Sequence, residues 1–178
     1  MRRLHRKVVD GICISNCKNY NEISGEKINK LASIAEKISK KYKIQIAIAP
    51  PHHLLASIKK SKLLVFAQHL DDAKIGSTTG YMIPEIVKKS KVNGALINHS
   101  EHRISSKEII NLVKRLKKLK MKTVVCVKNV REAETYAKLN PTYIDIETPE
   151  LLGTGRPTSN VRSSQMTTYL SAVKKTRY

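Results

Sequence analysis

Short apolar runs alternate along this chain with stretches of helical periodicity. The apolar runs, rich in β-branched residues, cover Val8–Ser15, Ile44–Ala49, Leu63–Ala67, Ala95–Asn98, Thr123–Val127 and Tyr143–Ile146. They are near-continuous rather than alternating, the pattern of strands buried on both faces of a parallel sheet. Between them, Ile28, Leu31, Ala32, Ala35, Ile38 and Tyr42 fall on one helical stripe, and Ile109, Leu112, Val113, Leu116 and Leu119 on another. Ser105 and Glu108 have the spacing of a capping box and predict where the second of these helices opens. About six βα units follow one another, which predicts an α/β fold, either a closed barrel or an open doubly wound sheet. Pattern alone does not choose between them. Met166, Tyr169, Leu170 and Val173 make a last helical stripe, and no further strand follows before Tyr178.

With 178 residues the chain is long enough to bury one sizeable core, and residues 1–178 are read as a single domain. The charge is unusual: 34 basic against 14 acidic residues give a formal +20. Such a balance attracts anions, whether nucleic acid, acidic membrane surfaces or phosphorylated metabolites, and says nothing about fold. The basic residues recur as scattered pairs such as Lys40-Lys41, Lys88-Lys89 and Lys117-Lys118, mostly inside predicted helices, as solvated outer faces would be. No interleaved aromatics and no nucleic-acid reading motif accompany them, so nucleic acid is disfavoured as a partner. Cys13, Cys17 and Cys126 are odd in number and form no CxxC pair, which indicates neither a zinc site nor a disulfide framework. No signal-peptide core and no run of about 20 apolar residues is present, so no membrane association is expected and the cytoplasm is the expected location.

Polar residues cluster just after the predicted strands, where ligand sites of α/β proteins lie. Asn16 and Lys18 follow the first, His99, Ser100 and Glu101 the fourth, and Glu147 the sixth, with the run Leu151–Gly155 close behind. Singly, each has an ordinary reading: a solvated Lys or Glu, a core histidine, a Gly-Thr-Gly turn. His99 and His102, three apart, do not make a convincing metal pair, because Glu101 is the only acidic residue close by in sequence.

Together the motifs are specific. Asn16-Cys17-Lys18 resembles the Asn-x-Lys motif of triose-phosphate isomerases. The segments IAIAPPH (Ile46–His52) and VFAQHLD (Val65–Asp71) look like that family's second and third strands, NHSE (Asn98–Glu101) like its catalytic-histidine motif, and ETPELLGTG (Glu147–Gly155) like the glutamate and lid of its compact archaeal members. The resemblance implies a TIM (β/α)8 barrel of which only about six of the eight βα units are present. It implies interconversion of dihydroxyacetone phosphate and D-glyceraldehyde 3-phosphate, in glycolysis and gluconeogenesis, without metal or cofactor. Glu147 would be the base. His99, neutral at a helix N-terminus, would donate to the developing oxyanion. Lys18 and Asn16 would bind phosphate and enediolate, and a backbone N–H at Gly153 would bind phosphate. This division of roles is a worked case of pKa tuning.

By the same resemblance Ser100 and Glu101 would support the site, the latter near Lys18. Thr79 would reach a neighbouring subunit, implying a homodimer or homotetramer, and Cys126 would be a structural cysteine behind Glu147. Thr148 replaces the usual Pro, His102 a usual Arg, and Arg156 adds charge beyond the lid. The short length admits a fragment, a frameshifted or decaying gene, or a short protein of different role. The alternative function is an inactive barrel relative holding RNA or another polyanion on its basic helices.

Overall fold

A computed structural model describes residues 11–58 and 62–147. The chain divides into two compact units, Met1–Gln68 with Ser90–Val92 and His69–Lys89 with Asn93–Tyr178.

The first unit carries strand β1 (Ile12–Asn16), a 3-10 turn at Asn21–Ile23, helix α1 (Lys27–Tyr42), β2 (Gln45–Ala49), a 3-10 turn at His52–Ser57 and β3 (Leu64–Ala67). The strands are parallel: Ile12 to Asn16 of β1 pair with Gln45 to Ala49 of β2, and Ala47 and Ile48 with Leu64 and Val65 of β3. Parallel neighbours need a crossover connection, which α1 supplies between β1 and β2. Its inward stripe of Ile28, Ala32 and Ala35 packs on a core that includes Ile46, Ile48, Leu54 and Leu63. Small alanines let the helix lie close to the sheet. Lys43, left-handed at φ 54°, ends the helix, and its N–H donates to the carbonyl of Ser39. After β2, Pro50 and Pro51 lead into the 3-10 turn, which is opened by the Leu54 N–H donating to the Pro51 carbonyl at 2.9 Å.

The second unit carries α2 (Pro84–Lys89), β4 (Gly94–Ile97), α3 (Ser106–Lys118), β5 (Lys122–Val127), α4 (Val130–Ala137) and β6 (Tyr143–Ile146). Gly94 to Ile97 pair in parallel with Lys122 to Val125, and Val124 to Val127 with Tyr143 to Ile146. β4 and β5 are buried almost throughout, which is why they read as unbroken apolar runs. The Ser105–Glu108 capping box forms as its spacing predicts, and α3 buries Ile109, Leu112, Val113 and Leu116. Asn129 caps α4 by accepting from the N–H of Glu132. Arg115 of α3 grips Glu85 of α2 through two hydrogen bonds of 2.7 and 2.5 Å.

The predicted first strand reaches back to Val8, and Val8, Val9 and Asp10 lie outside the described residues, as do Thr148, Pro149, Gly153, Gly155, Arg156 and the stripe from Met166 to Val173. Among the described residues no helix is long and apolar enough to cross a membrane.

Candidate active site

In the first unit, Asn16 closes β1 and Lys18 follows it. Lys18 is left-handed, φ 53°, an uncommon state for a residue with a Cβ. Two contacts hold it there. The Lys18 N–H donates to Asn16 Oδ1 at 3.0 Å, and the Lys18 carbonyl accepts from Gln68 Nε2 at 3.0 Å. The same Gln68 nitrogen donates to the carbonyl of Ala49 at 3.0 Å, so the ends of β2 and β3 both brace the turn. Asn16 thus has a local structural job, fixing the backbone from which the Lys18 side chain departs. Gln68 sits inside the VFAQHLD motif, yet the sequence did not mark it as a brace, because its contact depends on strand order rather than spacing.

In the second unit, Asn98 ends β4 with φ 65° and is buried. Its Nδ2 donates to the Cys126 carbonyl at 3.1 Å, and its Oδ1 accepts from the Ile104 N–H at 3.2 Å. These bonds fasten a loop whose turn is closed by the His102 N–H donating to the His99 carbonyl at 2.8 Å. On that loop His99 Nε2 lies 2.8 Å from Glu147 Oε1. Ser100 completes the grip: its N–H donates to Glu147 Oε2 at 2.8 Å and its hydroxyl to Oε1 at 3.3 Å. Glu147 is placed just past β6 by its own N–H, which donates to the Val127 carbonyl at 2.9 Å. The structure therefore brings together His99, Ser100 and Glu147, whose segments are separated in the sheet by β5. Neighbouring strands stand about 4.8 Å apart, so a His and a Glu two strands distant can just meet across the middle one.

One expectation is corrected. His99 does not sit at a helix N-terminus, since α3 begins only at Ser106. A turn intervenes because Asn98 takes the left-handed conformation and its side chain captures Ile104. The turn supplies a backbone donor all the same: the Glu101 N–H points at His99 Nδ1 from 3.2 Å. With Nδ1 accepting that bond, Nε2 is the nitrogen left to donate to Glu147. The Glu101 carboxylate also lies 3.7 Å from Nδ1. It is exposed and beyond hydrogen-bond reach, so the amide decides the tautomer.

Burial pushes the Glu147 carboxyl up. The hydrogen bond from His99, the charge His99 carries when protonated, the Ser100 N–H and the field of Arg103 outweigh it and hold the group below its usual value. Arg103 also lies 3.3 Å from Glu132. His102, in the place of a usual Arg, stacks on His69 with ring centroids 3.9 Å apart. The cation acting on the buried carboxylate is thus the next residue along. Beside Glu147 lie Cys126, fully buried, and Asp145, with ligand-capable atoms all within 4.8 Å of one another. Glu147 is engaged by His99 and Ser100, and Cys126 Sγ lies 3.8 Å from Asp145 Oδ2, so we assign no metal to these atoms. Glu101 and Thr79 are both exposed, the latter in the segment preceding α2. Gly153 lies outside the described residues.

Within each unit parallel strands follow one another, and a histidine–carboxylate pair lies just beyond the carboxyl ends of β4 and β6, which defines an α/β protein with a polar cluster where such folds place their ligand sites. The comparisons specify it further. The family model described as triosephosphate isomerase matches residues 11–178. A triosephosphate isomerase of Cenarchaeum symbiosum is 51% identical over 151 residues, covering 85% of this chain and 68% of that protein. One of Methanocaldococcus jannaschii is 36% identical over 165 residues, covering 92% of this chain and 75% of that protein. A crystal structure of triosephosphate isomerase from Bartonella henselae aligns with a TM-score of 0.57 at 22% identity, covering 70% of this chain and 54% of that one. The chain belongs to the triosephosphate isomerase family. Its fold is that of the TIM barrel, of which the described residues supply six strands.

Proposed function

We propose that this chain carries the site of a triosephosphate isomerase, interconverting dihydroxyacetone phosphate and D-glyceraldehyde 3-phosphate through an enediolate. One observation carries the reading: the 2.8 Å approach of His99 Nε2 to Glu147 Oε1, in a chain of this family. In the forward step Glu147 takes a proton from the carbon beside the carbonyl, and the His99 Nε2–H donates to the carbonyl oxygen as negative charge grows there. Returning the proton to the neighbouring carbon completes the exchange, with no net change in the enzyme. Both groups are engaged with each other at rest. A single outward turn of the Glu147 side chain would release the base and uncover the Nε2–H donor together.

By family resemblance Lys18 and Asn16 are assigned to the phosphate and enediolate, and Gly153 to the phosphate through its backbone N–H. Ser100 and Glu101 support the site. Thr79 is assigned to a contact with a second subunit in a homodimer or homotetramer, in a single barrel domain acting in the cytoplasm. The test is a coupled assay of the 178-residue chain with dihydroxyacetone phosphate. Glu147→Asp withdraws the carboxylate by one methylene and should lower turnover by roughly 10²-fold, the scale of an ångström-sized misplacement. An unchanged rate in a variant with wild-type circular dichroism would reject Glu147 as the base.

A further inference from the structure

The turn that carries His99 and Ser100 is closed at its far corner by one backbone bond, from the His102 N–H to the His99 carbonyl at 2.8 Å. Turns of this size often go without that bond, so in an exposed loop it is a weak fastening. Asn98 secures the near end from the buried side. The far end has a second hold. Although His102 is exposed, its ring lies flat on that of His69, with centroids 3.9 Å apart and planes 14° from parallel, a face-to-face van der Waals contact. His69 is a firm seat. It is 6% exposed, and its Nε2 lies 3.3 Å from Asp71 Oδ1. Asp71 is itself fixed by the Met82 N–H, which donates to Oδ2 at 2.7 Å, and by its own N–H, which donates to the Met82 carbonyl at 3.0 Å. Within the second unit, contacts thus run from the segment before α2 through two imidazoles to the turn that grips Glu147.

We propose that His102 is a positioning residue of the isomerase site: seated on His69, its ring keeps the turn closed, so that His99 Nε2 and the Ser100 N–H stay aimed together. The proposal rests on the isomerase reading for its effect on turnover, but its physical core is the hold of one ring on another. Without the ring the turn samples open forms, in which the His99 donor spends less time where charge develops on the substrate. The phosphate contacts assigned to Lys18 and Gly153 lie outside this turn, so the loss falls on kcat rather than KM. Contact area, not charge, is what the seat requires, and any flat ring at position 102 supplies it.

Amide hydrogen exchange of the isotope-labelled 178-residue chain, followed by NMR, reads the turn without any substrate. In His102→Ala the Ser100 amide should exchange roughly tenfold faster. Turnover should fall roughly tenfold at nearly constant KM, less than the roughly 10²-fold cost of an ångström-sized misplacement. His102→Phe, which keeps a flat ring without a titratable proton, should restore most of both. Unchanged exchange at Ser100 in His102→Ala overturns the proposal, as does a His102→Phe variant no better than His102→Ala. Faster exchange with unaltered kcat overturns the positioning role. Faster exchange that His102→Phe reverses, in a chain without isomerase activity, upholds the hold on the turn and counts against the functional reading instead. The unaltered chain gives a check that needs no variant to fold. The His102 ring protons, lying over His69, should resonate upfield of their positions in the unfolded chain, and unfolded-like shifts overturn the stack.

Discussion

Replacing Arg115 tests how α3, and with it the loop bearing His99, is held in place. Arg115 Nε and Nη2 reach the two oxygens of Glu85 at 2.7 and 2.5 Å, and Nη1 lies 3.5 Å from Asp72. Asp72 in turn accepts from Asn111 Nδ2 at 2.7 Å, so one α3 face is tied to α2 and to the segment before it. The side chains of Arg115 and Glu85 are 21% and 29% exposed, a partly dried pair rather than a surface one. Burial works against the charge on each partner. The hydrogen bonds between them outweigh it, pulling Glu85 below the usual carboxylate range and raising Arg115. A charge-assisted hydrogen bond contributes about 1.5–3 kcal/mol when shielded and an exposed pair at most about 1 kcal/mol, so this intermediate clamp should contribute about 1–2 kcal/mol in all. For a chain of this size that corresponds to a Tm drop of about 2–8 °C in Arg115→Ala. Arg115→Lys keeps the charge but not the two-pronged geometry and should lose about half as much. A double-mutant cycle with Glu85→Gln, followed by urea unfolding at low and high salt, isolates the pair itself. A coupling energy indistinguishable from zero, or Arg115→Lys as stable as the parent, would refute the clamp.

Asn98→Ala leaves a buried carbonyl and a loop N–H without partners and puts alanine at φ 65°, so urea unfolding should show a loss of about 3 kcal/mol. Thiol labelling should separate the cysteines: exposed Cys13 reacts first, while Cys126, buried and held protonated, reacts only in denaturant. Stability should fall on acidification from pH 7. Burial and the adjoining His102 ring push the imidazole of His69 down, so the folded state binds fewer protons than the unfolded one once the pH drops below about 6.5. His69→Asn should flatten urea midpoints between pH 7 and the folded value of His69. A second loss, from carboxylates held low such as Glu147 and Glu85, begins below about 4.3 and is opposed by relief of Asp145, whose carboxyl is raised.

The strands were legible because both faces of β4 and β5 are buried, so no polar alternation blurs the runs. Tyr143–Ile146 was read residue for residue, and the Ser105–Glu108 signal located α3 because a capping box is purely local. What sequence could not supply depends on strand order and backbone sign. The brace from Gln68 to Lys18 crosses fifty positions, and the left-handed states of Lys18 and Asn98 carry no glycine to announce them. The turn that separates His99 from α3 follows from Asn98 capturing Ile104, which spacing alone does not reveal.

The mutual grip of Glu147 with His99 and Ser100 has a chemical corollary. On the isomerase reading proposed above, an idle site of this kind would keep its proton abstractor sheathed, so that stray carbonyl compounds in solution would meet a capped carboxylate rather than a live base. A ligand would then have to unseat that carboxylate to start the reaction, making recognition of the right molecule and arming of the catalyst a single event.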